Sequence, residues 1–83
     1  MHESHPKIVA RLRRAEGHLR AVIGMIEAEK PCLELAQQLH AVEAAVAKAK
    51  KELIQDHIEH CLEDADREGR AVIGELKQLA KFL

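Results

Sequence analysis

The most specific chemistry in this 83-residue chain lies in two cysteines and a histidine, Cys32, His57 and Cys61, spaced as Cys-x24-His-x3-Cys. Two thiolates and one imidazole make a good trigonal donor set for soft Cu(I). Ni(II) prefers four donors in a plane, and Co(II) more, so either would need a further ligand. His57 and Cys61 fall in the stretch QDHIEHCLEDA, Gln55 to Ala65, which also holds His60 and four carboxylates. Residues four apart share a helix face, so these two can offer donors to one point. His60 is offset around the helix and is expected behind the ligands or in solvent. Taken singly, a buried cysteine is more often a small hydrophobe than a ligand, and a histidine on a helix face is more often solvated. The combination carries the metal reading. His18 and His40 lack comparable partners and are expected to be structural or surface residues.

The elements that must position these donors are helical. Ile8, Leu12, Ala15, Leu19, Val22 and Ile26 follow a 4-3-4-3-4 spacing, a heptad seam on an amphipathic helix. Pro6 suits the first turn of that helix, where its missing N–H is no loss, and residues 1–6 form a short N-terminal arm. Pro31 disfavours α geometry at Lys30, so the first helix should stop near Glu29. A second helix is expected from about Cys32 to Ala65. Leu35, Leu39, Val42, Val46, Ala49 and Leu53 repeat the same spacing, Ile54, Ile58 and Leu62 extend the stripe, and no Gly or Pro interrupts it. Gly69 is expected to end this region, and a third helix, about Ala71 to Leu83, to follow. No strand signal and no internal repeat appears. The fold class is all-α: three helices with a long central one, in a single domain spanning 1–83.

Length turns this pattern into a prediction about assembly. At 1.5 Å per residue the second helix is roughly 50 Å long, and Cys32 lies about 37 Å along it from His57. No ion can join them within one chain. The long helix outreaches the first, and its uncovered seam predicts an antiparallel dimeric bundle. In that dimer Cys32 of one subunit comes alongside His57 and Cys61 of the other.

Charge narrows the partners. The formal net charge is −1, yet Lys7, Arg11, Arg13, Arg14 and Arg20 face a single acid, Glu16, within one short stretch, and Lys48, Lys50 and Lys51 form a second basic run. A nearly neutral protein with a clustered basic face can still grip phosphates; the alternative is an ordinary solvated helix face. Arg11 and Arg14, three apart, share one side, and Arg13 faces elsewhere. Phe82 is the only aromatic residue, which excludes aromatic stacking on bases. No apolar run reaches the roughly 20 residues of a membrane span, and no signal-peptide pattern is present. Two cysteines without a secretory context favour a reducing, cytoplasmic setting. There is no Gly-rich phosphate loop and no nucleophile elbow, and HIEHC is not the HExxH zinc-protease motif, so an enzyme is not expected. On residues alone, a metal-responsive DNA-binding protein, a metal-buffering or helical interaction protein, and a thiol redox sensor all stay open.

RLRRAEGHLRAVIGMIE followed by PCLELAQQLHAVEAAVAKAKKELIQDHIEHCL resembles the CsoR/RcnR family of metal-sensing transcriptional repressors, from about Pro6 to Leu83. The resemblance implies an all-α antiparallel dimer that pairs into a tetramer. It also implies operator binding without a classical reading helix, and release of double-stranded operator DNA when a transition metal binds, which derepresses efflux or resistance genes. By position, Cys32, His57 and Cys61 match the family's metal ligands, and Arg11, Arg14 and Lys48 match basic positions implicated in DNA binding. The formaldehyde-sensing branch lacks the cysteine found here at Cys61. The persulfide-sensing branch lacks the histidine found at His57. The copper branch backs its site with a Tyr before the first Cys and a Glu on the third helix, where this chain has Pro31 and Lys77. The nickel/cobalt branch draws a further donor from an N-terminal histidine somewhat upstream of His2 and His5. These comparisons favour Ni(II) or Co(II), with His2 and His5 as candidate extra donors, over Cu(I); a persulfide- or redox-sensing repressor is a further alternative.

Overall fold

The computed structural model describes residues 4–63 and 69–83, and side chains at 4–60 and 72–83. Three helices account for nearly all of the described chain: α1, His5–Glu27; α2, Cys32–Glu63; and α3, Gly69–Ala80. No strand occurs among the described residues.

The helix limits follow from local chemistry. Pro6 occupies the first turn of α1, and the Ile8 amide closes that turn on the Ser4 carbonyl at 3.0 Å. The helix therefore starts inside the expected arm, and His5 is helical. At the other end, the Lys30 amide reaches the Met25 carbonyl at 3.1 Å and the Glu29 amide reaches Ile26 at 3.0 Å. This is the Schellman pair of bonds that satisfies the last carbonyls of a helix. It places Glu29 in the left-handed region, with φ of 58°, a position that glycine usually fills. Pro31 follows and cannot continue α1; its carbonyl instead receives the Leu35 amide, 3.1 Å, to open α2. Gly69, expected to end the region after the second helix, is the first residue of α3. Gly costs less at a helix terminus than in the interior, where its backbone freedom must be fully frozen.

α1 and α2 form an antiparallel hairpin, since residues early in α1 meet residues late in α2: Arg11 with Glu52, His5 with Asp56, and His18 with Gln38. The heptad seams divide in two. Ile8, Ala15 and Val22 are buried against Val42, Ala49 and Ile54, an all-aliphatic interior in which no buried residue of the described chain is polar. The other half of each seam stays open. Leu12, Leu19 and Ile26 on α1 are 43, 43 and 50 % exposed, and Leu39, Val46 and Leu53 on α2 are 42, 45 and 44 % exposed. Each set repeats every seven residues, so the hairpin carries two parallel apolar stripes with nothing of its own to cover them. So small an interior supports one subunit only marginally.

With 32 residues against the 23 of α1, α2 runs on past the hairpin. α3 folds back beside that overhang, where Glu75 reaches His57.

Replacing Glu29 with glycine removes a left-handed Cβ at the Schellman position. It is expected to stabilise the fold by about 0.5–1 kcal/mol, read as a rise in the urea midpoint with unchanged slope.

Candidate metal centre and nucleic-acid interface

The sequence-designated ligands sit at the two ends of α2. Cys32 is its first residue, an exposed free thiol. His57 lies near the other end, a little over a third exposed. Cys61 belongs to α2 one turn further on, and its side chain lies outside the described residues, as does the whole of His2. Among the described residues, no three or more His, Cys, Asp or Glu side chains are grouped so as to hold an ion. One subunit thus presents separated parts of a donor set.

The orientation of His57 is set from α3. Its Nε2 lies 2.5 Å from Glu75 Oε1. With Nε2–H donating to that carboxylate, Nδ1 carries the lone pair in the neutral ring. This is the usual arrangement of a metal-binding histidine, whose second nitrogen is fixed by a carboxylate or carbonyl that also raises its basicity. On sequence grounds the third helix presents Lys77 and no carboxylate behind the histidine. The structure corrects that view, because Glu75, two residues earlier, occupies the role. The residues present therefore fit a transition metal in donor type and in the support behind the imidazole.

Around the same end of α2, Asp56 is the meeting point of two further histidines. His5 Nε2 lies 3.9 Å from Asp56 Oδ2, and His60 Nε2 lies 3.6 Å from Asp56 Oδ1, with the Asp56 side chain only 15 % exposed. His60 is nearly half exposed, and His5 comes near the same carboxylate from the start of α1, at the His57 end of its own α2. Of the remaining histidines, His18 bridges the hairpin through a 2.6 Å hydrogen bond to Gln38 Oε1, and His40 is exposed.

The basic candidates gather on the hairpin. Arg14 and Lys48 are exposed, and Arg11 makes an ion pair with α2, Nε to Glu52 Oε2 at 3.0 Å. Arg11, Arg14 and His18 line one shallow groove against Ala45. Lys48 and Lys51 line another that ends at Glu52 and Gln55. A third, holding Lys7 and Arg11, is bounded by the same Glu52 and Gln55. Arg13 faces away, beside Val9, Leu12 and Glu16. Sequence reasoning missed Glu52 and Glu75. Glu75 could have been found as an acid in register with the apolar face of α3, whereas Glu52 is distinguished from its acidic neighbours only by what it touches.

Comparison with known proteins identifies relatives over nearly the whole chain. The family model of the metal-sensitive transcriptional repressors matches residues 4–82. A copper-sensing transcriptional repressor, CsoR, of Bacillus subtilis is 35 % identical over 77 residues, covering 90 % of this chain and 76 % of that protein. The CsoR of Mycobacterium ulcerans is 36 % identical over 74 residues, covering 87 % of this chain; the match spans only 63 % of the relative's length. Among solved structures, the nickel-responsive transcriptional regulator InrS superposes with a TM-score of 0.86 at 36 % identity, over 100 % of this chain and 97 % of that one. With the family model spanning nearly every residue and the helices superposing end to end, the chain belongs to the CsoR/RcnR family of metal-sensitive transcriptional repressors.

Proposed function

We propose that this repressor holds operator DNA when metal-free and releases it on binding Ni(II) or Co(II) in the cytoplasm, derepressing efflux or resistance genes. The observation that carries the metal-responsive reading is the Glu75-held imidazole of His57 at one end of α2, with the Cys32 thiol exposed at the other. Ni(II) or Co(II) is preferred over Cu(I) because His5, a candidate further donor, lies near the His57 end of the same helix.

A second copy laid antiparallel on the hairpin covers the two apolar stripes. It also brings Cys32 of the partner subunit to His57 and Cys61, giving two sulfurs and one nitrogen. Further donors that Ni(II) or Co(II) needs have a source nearby, since His5 lies 3.9 Å from Asp56, the residue before His57, and His2 lies upstream of it. Pairing of dimers into a tetramer would enlarge the basic face made by Arg11, Arg14 and Lys48. Because the ligands come from opposite ends of two α2 helices, ligation constrains how those helices lie and so how α1 presents its arginines. Linkage sets the size of the effect: a metal that favours the DNA-free arrangement weakens DNA affinity by the same coupling factor, typically 1–3 kcal/mol, about 5- to 150-fold.

A Cu(I) sensor is the second reading. It is favoured by one specific observation, the α3 carboxylate behind the histidine, and by the copper-sensing relatives. Absorption during metal titration separates the two: planar Ni(II) with thiolates gives charge-transfer and d–d bands, whereas filled-shell Cu(I) gives no d–d band.

Cys32→Ala is expected to leave DNA binding intact and to abolish the metal response in a mobility-shift titration; loss of folding would assign Cys32 a structural role instead. Glu75→Ala is expected to lower metal affinity about 10- to 100-fold with helicity unchanged by circular dichroism. Arg14→Ala should weaken binding to the protein's own upstream DNA and reduce the slope of log affinity against log salt by about 0.9 for each phosphate that is no longer neutralised.

A further inference from the structure

We propose that Glu52 occupies the place of a DNA phosphate at Arg11 in the unbound protein, so that operator binding exchanges one anion for another on the same guanidinium. The inference rests on the DNA-binding reading above and adds to it a residue that limits affinity.

Three observations support the exchange. Glu52 is the acid on which the basic face converges: it borders the groove of Lys7 and Arg11 and the groove of Lys48 and Lys51. It also touches Arg11 directly, Nε to Oε2 3.0 Å. By contrast, the Glu16–Arg20 pair on α1 is loose, 3.7 Å, with both side chains at least 70 % exposed. The second observation is exposure. Arg11 and Glu52 are 36 and 33 % exposed, so the pair is open enough for an incoming phosphate to reach. Ion pairs this accessible to water are weak and readily exchanged. The third is chemical. A guanidinium accepts carboxylate and phosphate oxygens in the same geometry, so a phosphate can take over the interaction without Arg11 leaving its groove. Next to DNA, the displaced carboxylate is a negative charge set between the grooves of Lys7, Arg14, Lys48 and Lys51, where Asp56 and Glu59 already line the Lys7 side.

The consequence is quantitative. Each phosphate neutralised adds about 0.9 to the steepness of log affinity against log salt, and an acid held within the interface removes about one such unit. Glu52→Gln keeps the size and removes the charge. Measured by salt-dependent mobility shift on the protein's own upstream DNA, it is expected to bind about three- to tenfold tighter at low salt, with a slope steeper by about 0.9. The gain should be smaller in Arg11→Ala/Glu52→Gln relative to Arg11→Ala, where only the repulsion between Glu52 and DNA is relieved, and Glu16→Gln should change affinity less than twofold.

Unchanged or weaker binding by a helical Glu52→Gln protein overturns the proposal, since Glu52 would then position Arg11 for DNA. An equal gain in the Arg11→Ala background, or from Glu16→Gln, overturns it in favour of general charge repulsion. If wild-type protein fails to shift the DNA at all, the DNA-binding reading falls and the inference with it. If wild type binds and Glu52→Gln alone fails to tighten, only the inference falls.

Discussion

The 32 residues of α2 form one uninterrupted rod, and the rest of the molecule depends on its stiffness. A straight helix rises about 1.5 Å per residue, which holds Cys32 and His57 far apart in any one subunit and forbids the chain from closing a site on itself. The same rod is longer than α1, so the hairpin cannot cover it. Separated donors and uncovered apolar stripes are therefore two results of one geometric fact, and the proposed second copy of the chain would answer both.

What the rod separates, its neighbours organise. At the far end α3 supplies Glu75, which fixes the His57 ring, and α1 supplies His5, which meets Asp56 on the residue before His57. Nearer the middle, Arg11 meets Glu52. Within six residues α2 thus touches the start of α1, the arginine face and the helix that aims a metal-binding histidine. A sensor needs its ligand-binding and DNA-binding groups on elements that move together, and here both proposed sets attach to the same stretch of helix.

The pattern of burial reflects the trade between a subunit and its assembly. The hairpin keeps Ile8, Ala15 and Val22 for itself and leaves Leu12, Leu19 and Ile26 half-exposed. Mixing small residues with larger aliphatic ones on the inner stripe lets the helices approach closely. The larger outer residues retain area that association can still bury. A chain with so little interior would gain much of its stability from burying that outer area in the proposed dimer, and helix placement would then respond to anything that alters how two copies meet.

Much of this was legible in the residue order. Heptad spacing gave the helices, Pro6 and Pro31 gave the bounds of the first, and helix length placed Cys32 and His57 at opposite ends of one element. These features depend on local stereochemistry and on distance along one helix, both of which sequence specifies directly. The fate of each half-seam, the start of α3 at Gly69, the carboxylate of Glu75 behind His57, the approach of His5 to Asp56 and the pairing of Arg11 with Glu52 were decided by tertiary structure. Each depends on how one helix is rotated and displaced against another, and many acids in this chain could have met those histidines and arginines at a different rotation. Sequence by itself therefore determined which residues could do the chemistry and which helices carry them. Packing decided which carboxylate stands behind each of them, because that choice is made by the summed fit of aliphatic side chains across the whole interface.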